Sequence, residues 1–551
     1  MVVADSYDVV VLGSGMAGLA TVLAASERGL RPLLIEKSEK LGGGTTNSYG
    51  LIWIGDNHLA RAAGYEDNRA DIVRYLRFLA GGEERDANLL AFVDWSPRAL
   101  QFFESCGVSF RLTHGITDHY YGVAPGARGE GRTVEAELIS GDDLGAWRDR
   151  VRVPVGVPFF VTAEEQIAWG GINRFSNWDQ TLVRERRERD IRGKGVGLIC
   201  QFLKSILARA VPILTGERIE HLTLEGKRVS GIELSDGRQI AAHRGVVLAT
   251  GGYESNRDLV HDFEGLPNWL SLYPASITGD GLLLATEIGA AVRTIRNNLQ
   301  LFLAFQLPPD TPDEEPQTHL AGIIELCSPH TIVVNQAGKR FADESYFQGM
   351  VPALRHFDPA THCYPNLPCY LIFDHNYAVA YSFAGRHAGA EIPGWVVQAE
   401  GPRALGAKLG VNGDSLAATI RRFNDFCRTG ADKDFRRGEL AWRLAQDRTL
   451  VSGQNPSLGL LDKPPFYGIE LAPAGGSSAG VLTDENAQVL HSRGKPLLGL
   501  YAIGNAAAKV EFGAGYQAGL TLASGMTFGY LAVDHAQSVE ADQPGHIDYC
   551  R

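Results

Sequence analysis

The sequence predicts an α/β protein: a discontinuous, Rossmann-like dinucleotide-binding domain made from both ends of the chain, with an α+β domain inserted between. Three observations predict it. An apolar strand, a glycine-spaced turn and a helix open the chain over residues 7–18. A second apolar strand that ends on glycines covers 245–252. A third, 499–505, follows a long stretch of different texture and returns the chain to the first fold. Parallel strands that end on small residues are what a sheet needs to hold a dinucleotide at its carboxyl edge.

The elements follow in order. Val9, Val10, Val11 and Leu12 make a buried strand. Gly13 allows the tight turn, Gly15 lets a pyrophosphate approach the backbone, and Gly18 lets helix pack on strand. Met16 and Ala17 begin that helix, whose free N–H groups and positive dipole end favour a phosphate. Glu36 closes the next strand, where an acid can bind ribose hydroxyls, and Lys37 follows it. A glutamate in this role, at the start of the chain, favours FAD over NAD. Residues 42–50 come next, and Gly43, Gly44, Thr45, Thr46, Ser48 and Gly50 can approach phosphates and a flavin ring. That loop holds no His or Cys, so the FAD is expected to be non-covalent.

Residues 56–110 carry helical spacing, and 111–190 are mixed and rich in Gly, Arg and aromatics. Residues 197–210 read as a helix and 211–242 as short antiparallel strands, with Gly226 in a hairpin turn. Ala249, Thr250 and Gly251 end the second core strand, where small residues let backbone pass near the dinucleotide. The texture changes near 276, with a Pro-rich acidic loop at 307–316 and a helix at 415–428. Gly504 and Asn505 then end the last core strand, where Asn can accept from a ribitol hydroxyl. Leu520, Thr521 and Leu522 open a final helix near the flavin. The expected division is an FAD domain at 1–275, a substrate domain at 276–460, and the FAD domain's return at 461–551.

At 551 residues the chain calls for two or three domains. Hydrophobic residues at 44% and charged residues at 21% are ordinary for a globular protein. A net charge of −12 argues against nucleic acid and anionic membrane as partners. No apolar run approaches the roughly 18 residues of a membrane span. The first strand starts so early that no leader is expected. Seven scattered cysteines without CxxC pairs read as reduced thiols of a cytoplasmic protein and predict no metal.

The segments 42–50, 245–256, 278–281, 338–344, 465–467 and 513–528 resemble the fumarate reductase/succinate dehydrogenase flavoprotein family. Within it they look most like the 3-oxosteroid Δ1-dehydrogenase branch, and 516–528 is the most specific match. That resemblance implies a Tyr and a glycine N–H on the substrate ketone oxygen, matched here by Tyr516 and Gly519. Gly519 is reached one residue sooner than in the family. It also implies two tyrosines that remove the α-proton. Tyr121, beside Tyr120, matches the one that assists. The base is expected about twenty residues past Thr278-Gly279-Asp280, judged by matching motifs. Asn297 and Asn298 fall there, and an amide is no general base. Tyr120, His119 and Tyr346 are the alternatives.

The implied activity is FAD-dependent introduction of a C=C bond into a cyclic ketone, either a 3-oxosteroid or a smaller cyclohexanone-type ring. The electron acceptor is left open. The alternatives are a fumarate-reductase-like reductase of an unsaturated acid or enone, and a non-redox flavin-holding isomerase or hydratase.

Overall fold

The computed structural model describes residues 4–154, 157–308, 317–321, 325–441 and 455–539. Most of the acidic loop expected at 307–316 therefore lies outside the described residues. The apolar runs from the two chain ends meet in one eight-stranded sheet. Its main order is Gln488–Leu490, Pro496–Ala502, Gln239–Leu248, Ser6–Leu12, Pro32–Glu36, Ile213–Thr215. All neighbours along that path are parallel except the Gln488–Leu490 edge. The hairpin Ile219–Glu225 and Arg228–Leu234 hangs antiparallel on Gln239–Leu248, and Gly226 turns it at φ +60°.

Register decides where the loops emerge. Leu12 lies opposite both Ile35 and Leu248, and Leu248 opposite Ala502. The carboxyl ends of four strands thus form one row, and the loops after them converge there. One face of the sheet is covered by the helices Met16–Glu27, Lys194–Ala208 and Leu520–Ser538, in a single apolar cluster. The other face packs against the hairpin and the helix Asp280–Glu287.

A second, antiparallel sheet runs Gln317–Leu320, Leu301–Leu307, Phe466–Gly475, Cys369–Asp374, Thr331–Asn335, and Val397–Ala399 also pairs with Phe466–Gly475. The helices Pro402–Leu409 and Gly413–Thr429 pack on one face of it. Sheet membership places both edges of this unit later than the sequence suggested. Phe466–Gly475 sits inside the second sheet, beyond the expected edge at 460. Helix Asp280–Glu287, expected to open the insert, buries Leu282, Leu284 and Ala285 in the first unit's core. A strand's own residues state that it is buried; its partner is set by contacts far away in sequence. No helix among the described residues is long and apolar enough to cross a membrane.

Candidate active site

The loops at the row of strand ends open into a cavity of about 1880 Å³ that reaches from the parallel sheet to the second sheet. Single-ligand pockets run to about 1,000 Å³, so this one has room for a cofactor and a substrate. Each glycine of the first turn has a distinct surrounding. Gly13 has φ +104°, and a side chain there would meet the Ala249 carbonyl. A side chain on Gly18 would run into the Gly13 carbonyl. At Gly15 a Cβ would meet only Thr45 Oγ1, at an ordinary contact distance of 3.6 Å, and Gly15 lines the cavity. Thr45 Oγ1 also accepts from the Met16 N–H at 3.0 Å, which ties the 42–50 loop to the helix start.

The Glu36 carboxylate accepts from Ser14 Oγ at 2.6 Å, Ser14 N–H at 3.0 Å and Ser38 N–H at 2.9 Å, which holds it at the cavity wall. Lys37 Nζ donates to Thr278 Oγ1 at 2.6 Å and pairs with Asp280 at 2.8 Å. Gly43, Gly44, Ser48, Gly50, Ala17, Ala249, Thr250, Gly251, Gly504, Thr521 and Leu522 line the cavity with them. Three expected contacts stand back from it. Gly18 packs helix on strand, Thr46 is fully buried and donates to the Gly43 carbonyl at 3.0 Å, and Leu520 is a core residue.

These residues fit a dinucleotide. Gly15 leaves its backbone approachable, and Asn505 Oδ1 is buried without a hydrogen-bond partner among the described residues. A buried orphan acceptor costs about 1–3 kcal/mol, which a ligand hydroxyl would offset.

At the other end, Tyr516 lies in an aromatic nest. Its ring centroid is 4.9 Å from His119, 5.3 Å from Phe302 and 5.4 Å from Phe347. Burial, with Tyr49 nearby, pushes its phenol up to about 12, so it is a donor at neutral pH. Gly519 follows at φ +91° as the N-cap of helix Leu520–Ser538, and a Cβ there would lie 2.6 Å from the Trp53 nitrogen. Both residues line the cavity. His119 lines it too, and burial pushes the imidazole down to about 3, so it is neutral.

Tyr120 and Tyr121 diverge. Tyr121 is 38% exposed, and neither it nor Tyr120 nor Tyr346 is on the cavity wall. Tyr120 is buried, and its ring meets Tyr346 edge-on at 6.1 Å. Its hydroxyl makes no well-formed hydrogen bond among the described residues. Burial raises its ionisation, opposed by the Tyr516 main chain and the Tyr346 hydroxyl. Burial, with Tyr120 beside it, likewise raises Tyr346. Asn298, which with Asn297 falls where the resemblance expects the base, lies in a loop. Its amide donates to the Gly476 carbonyl at 2.9 Å and accepts from Gln300 N–H at 3.1 Å.

The FAD binding domain profile matches residues 8–522. The chain belongs to the FAD binding domain family. Its sequence is 36% identical to 4-oxocyclohexanecarboxylate 2-dehydrogenase of Sinomonas cyclohexanicum, over 96% of this chain and 92% of that one. It is 32% identical to 3-oxosteroid 1-dehydrogenase of Mycobacterium tuberculosis, over 98% and 99%. Among solved structures it is similar to 3-ketosteroid delta1-dehydrogenase of Sterolibacterium denitrificans, crystallised with 1,4-androstadiene-3,17-dione. That match has a TM-score of 0.86 and 27% identity, over 97% of this chain and 99% of that one.

Within this FAD-binding chain, sequence reasoning offered Tyr346 only as one of three alternatives. Its proximity to Tyr120 is a tertiary fact that no spacing could show. Tyr49, which also lines the cavity, was missed. The signal was available: a large phenol among small residues at 42–50. Arg340 and Arg355, which could in principle clamp a dicarboxylate, pair with carboxylates and are off the cavity wall. Arg340 pairs with Glu344 at 2.7 Å and Asp432 at 2.8 Å inside the insert, and Arg355 with Glu264 at 3.0 Å.

Proposed function

We propose that this chain is an FAD-dependent oxidoreductase acting on CH–CH groups, which introduces a C=C bond beside the ketone of a ring substrate. The observation that carries it is that Tyr516 and Gly519, three residues apart, both line the cavity. The relatives that act on 3-oxosteroids and on a cyclohexanone acid support it. In this reading the parallel sheet is a Rossmann-like FAD domain built from both chain ends, and the second sheet walls the substrate side. FAD would lie non-covalently along Gly15, Glu36, the 42–50 loop, Asn505 and the start of helix Leu520–Ser538. When bound, oxidised flavin supplies the acceptor for the β-hydride.

The residues do the rest. Tyr516 O–H and Gly519 N–H hold the ketone oxygen, where negative charge develops as the α-proton leaves. One such preorganised donor is worth about 3–4 kcal/mol in the transition state. Tyr120 and Tyr346 form a relay: a Tyr120 phenolate, formed by passing its own proton through the Tyr346 hydroxyl to solvent, would take the α-proton. The aromatic nest excludes water, so the developing charge meets fixed dipoles and not bulk solvent. Seven cysteines scattered without CxxC pairs fit a cytoplasmic enzyme.

The test is anaerobic bleaching of the bound flavin. A 3-oxosteroid, cyclohexanone and 4-oxocyclohexanecarboxylate are each mixed with the enzyme. Rapid bleaching by one or more is expected. No bleaching by any, with reoxidation of pre-reduced flavin by an enone or fumarate, would move the chain to the reductases.

A further inference from the structure

Next to the Tyr516 end of the cavity runs a polar chain that this mechanism leaves unused. Lys194 is fully buried and lies against Tyr49, its Nζ 4.4 Å from the ring centroid. Its ammonium donates to Gln166 Oε1. An ammonium has donors only, so the Gln166 carbonyl must face it. The Gln166 amide nitrogen then faces Tyr49 and donates to the hydroxyl oxygen at 3.3 Å. Tyr49 is thereby cast as an acceptor toward Gln166, and its own proton is left for another group. Both Tyr49 and Gln166 line the cavity, so the direction left open is the substrate chamber. Tyr49 is close enough to raise the ionisation of Tyr516, which puts both phenols on one chamber.

The charge behind Tyr49 is incompletely matched. Among the described residues no carboxylate lies within ion-pair distance of Lys194. The acids that face it are Glu135 and Glu165. Glu135 already accepts from the N–H groups of Ala163 at 2.7 Å and Glu164 at 3.3 Å. Glu165 pairs with Arg186 at 2.6 Å. Burial pushes Lys194 down to about 7, so a further negative charge nearby would favour its protonated form.

We propose that Tyr49, aimed by Gln166 and Lys194, anchors a carboxylate carried on the substrate ring and so selects a keto acid over a neutral ketone. This rests on the ring-ketone reading above and names the substrate class for it.

The first probe is cyclohexanecarboxylate, which lacks the ketone and cannot be turned over. It is titrated against the flavin absorbance of the holoenzyme, beside the neutral cyclohexanecarboxamide. The wild type is expected to bind the acid more tightly. Tyr49→Phe keeps the ring and its cation contact and removes only the hydroxyl; it should weaken acid binding about tenfold or more, and amide binding less. Gln166→Glu places a carboxylate against Lys194 and should cause the same selective loss. No binding of the acid by the wild type, or equal losses for acid and amide, would overturn the anchor.

In turnover, the preference in kcat/KM for 4-oxocyclohexanecarboxylate over its methyl ester should fall about tenfold in Tyr49→Phe. A loss in kcat alone, equal for both, would place Tyr49 on the ketone oxygen and also overturn it. If the wild type binds cyclohexanecarboxylate but no ring ketone bleaches it, the dehydrogenase reading fails and the anchor stands.

Discussion

Gln517 shows how single residues assemble this site. Its amide oxygen accepts from the Tyr75 hydroxyl and from the His119 N–H at 2.8 Å. One side chain next to Tyr516 thereby fixes the turn that carries Tyr120. The prediction at this scale is for Tyr516→Phe, which removes one donor to the developing oxyanion. It should lower kcat by about 10²–10³-fold with flavin content unchanged. Near-normal turnover in stopped-flow flavin reduction would remove Tyr516 from the ketone. The Tyr516–Gly519 stretch was legible because its chemistry lies within one short segment. The Tyr120–Tyr346 contact was not, because the two residues belong to different units and meet only when the sheets pack. The resemblance expected a base near Asn297 and Asn298 and met the Asn298 amide instead. It judged distance along the chain, whereas that amide serves two backbone groups of a loop.

At the scale of elements, the glycine turn separates folding from binding. Gly18 faces the Gly13 carbonyl, and Gly15 lines the cavity. Gly18→Ala should therefore destabilise even the apoprotein, by about 1–3 kcal/mol from overpacking. Gly15→Ala should leave the apoprotein Tm within roughly 2 °C and weaken FAD binding at least tenfold. Parallel apoprotein melting and flavin titration check both; similar melting losses for the two variants would sink the distinction. The strand, turn and helix here were readable because every constraint is local. Strand Phe466–Gly475 was equally readable as a strand, but its sheet was not. It is held by Leu301–Leu307 on one side and Cys369–Asp374 on the other, and neither is a sequence neighbour.

At the scale of the molecule, one cavity spans both sheets, so whatever fills it joins the two units. A ligand held only by the folded state adds RT ln(1 + [L]/Kd), about 2.7 kcal/mol at a hundredfold excess over Kd. Removing FAD should therefore lower Tm by several degrees, and adding it back should restore the melting curve. Equal Tm with and without FAD, by calorimetry, would show that the cofactor does not bridge the units. The unit around the second sheet does not depend on that bridge alone. Arg437 pairs with Glu344 at 3.0 Å, and Arg340 joins Glu344 to Asp432, all four nearly or fully buried.

The sequence by itself determined the cofactor class, and it marked the glycine turn, Glu36 and the 516–519 tail that line the cavity. Each is written in contiguous residues whose chemistry follows from backbone conformation and short spacing. Tertiary structure alone decided that Tyr120 meets Tyr346, that Tyr121 faces away, that Asn298 lies in a loop, and that Lys194 stands behind Tyr49. Those are distances between segments remote in sequence, and they arise only from the register and packing of whole sheets.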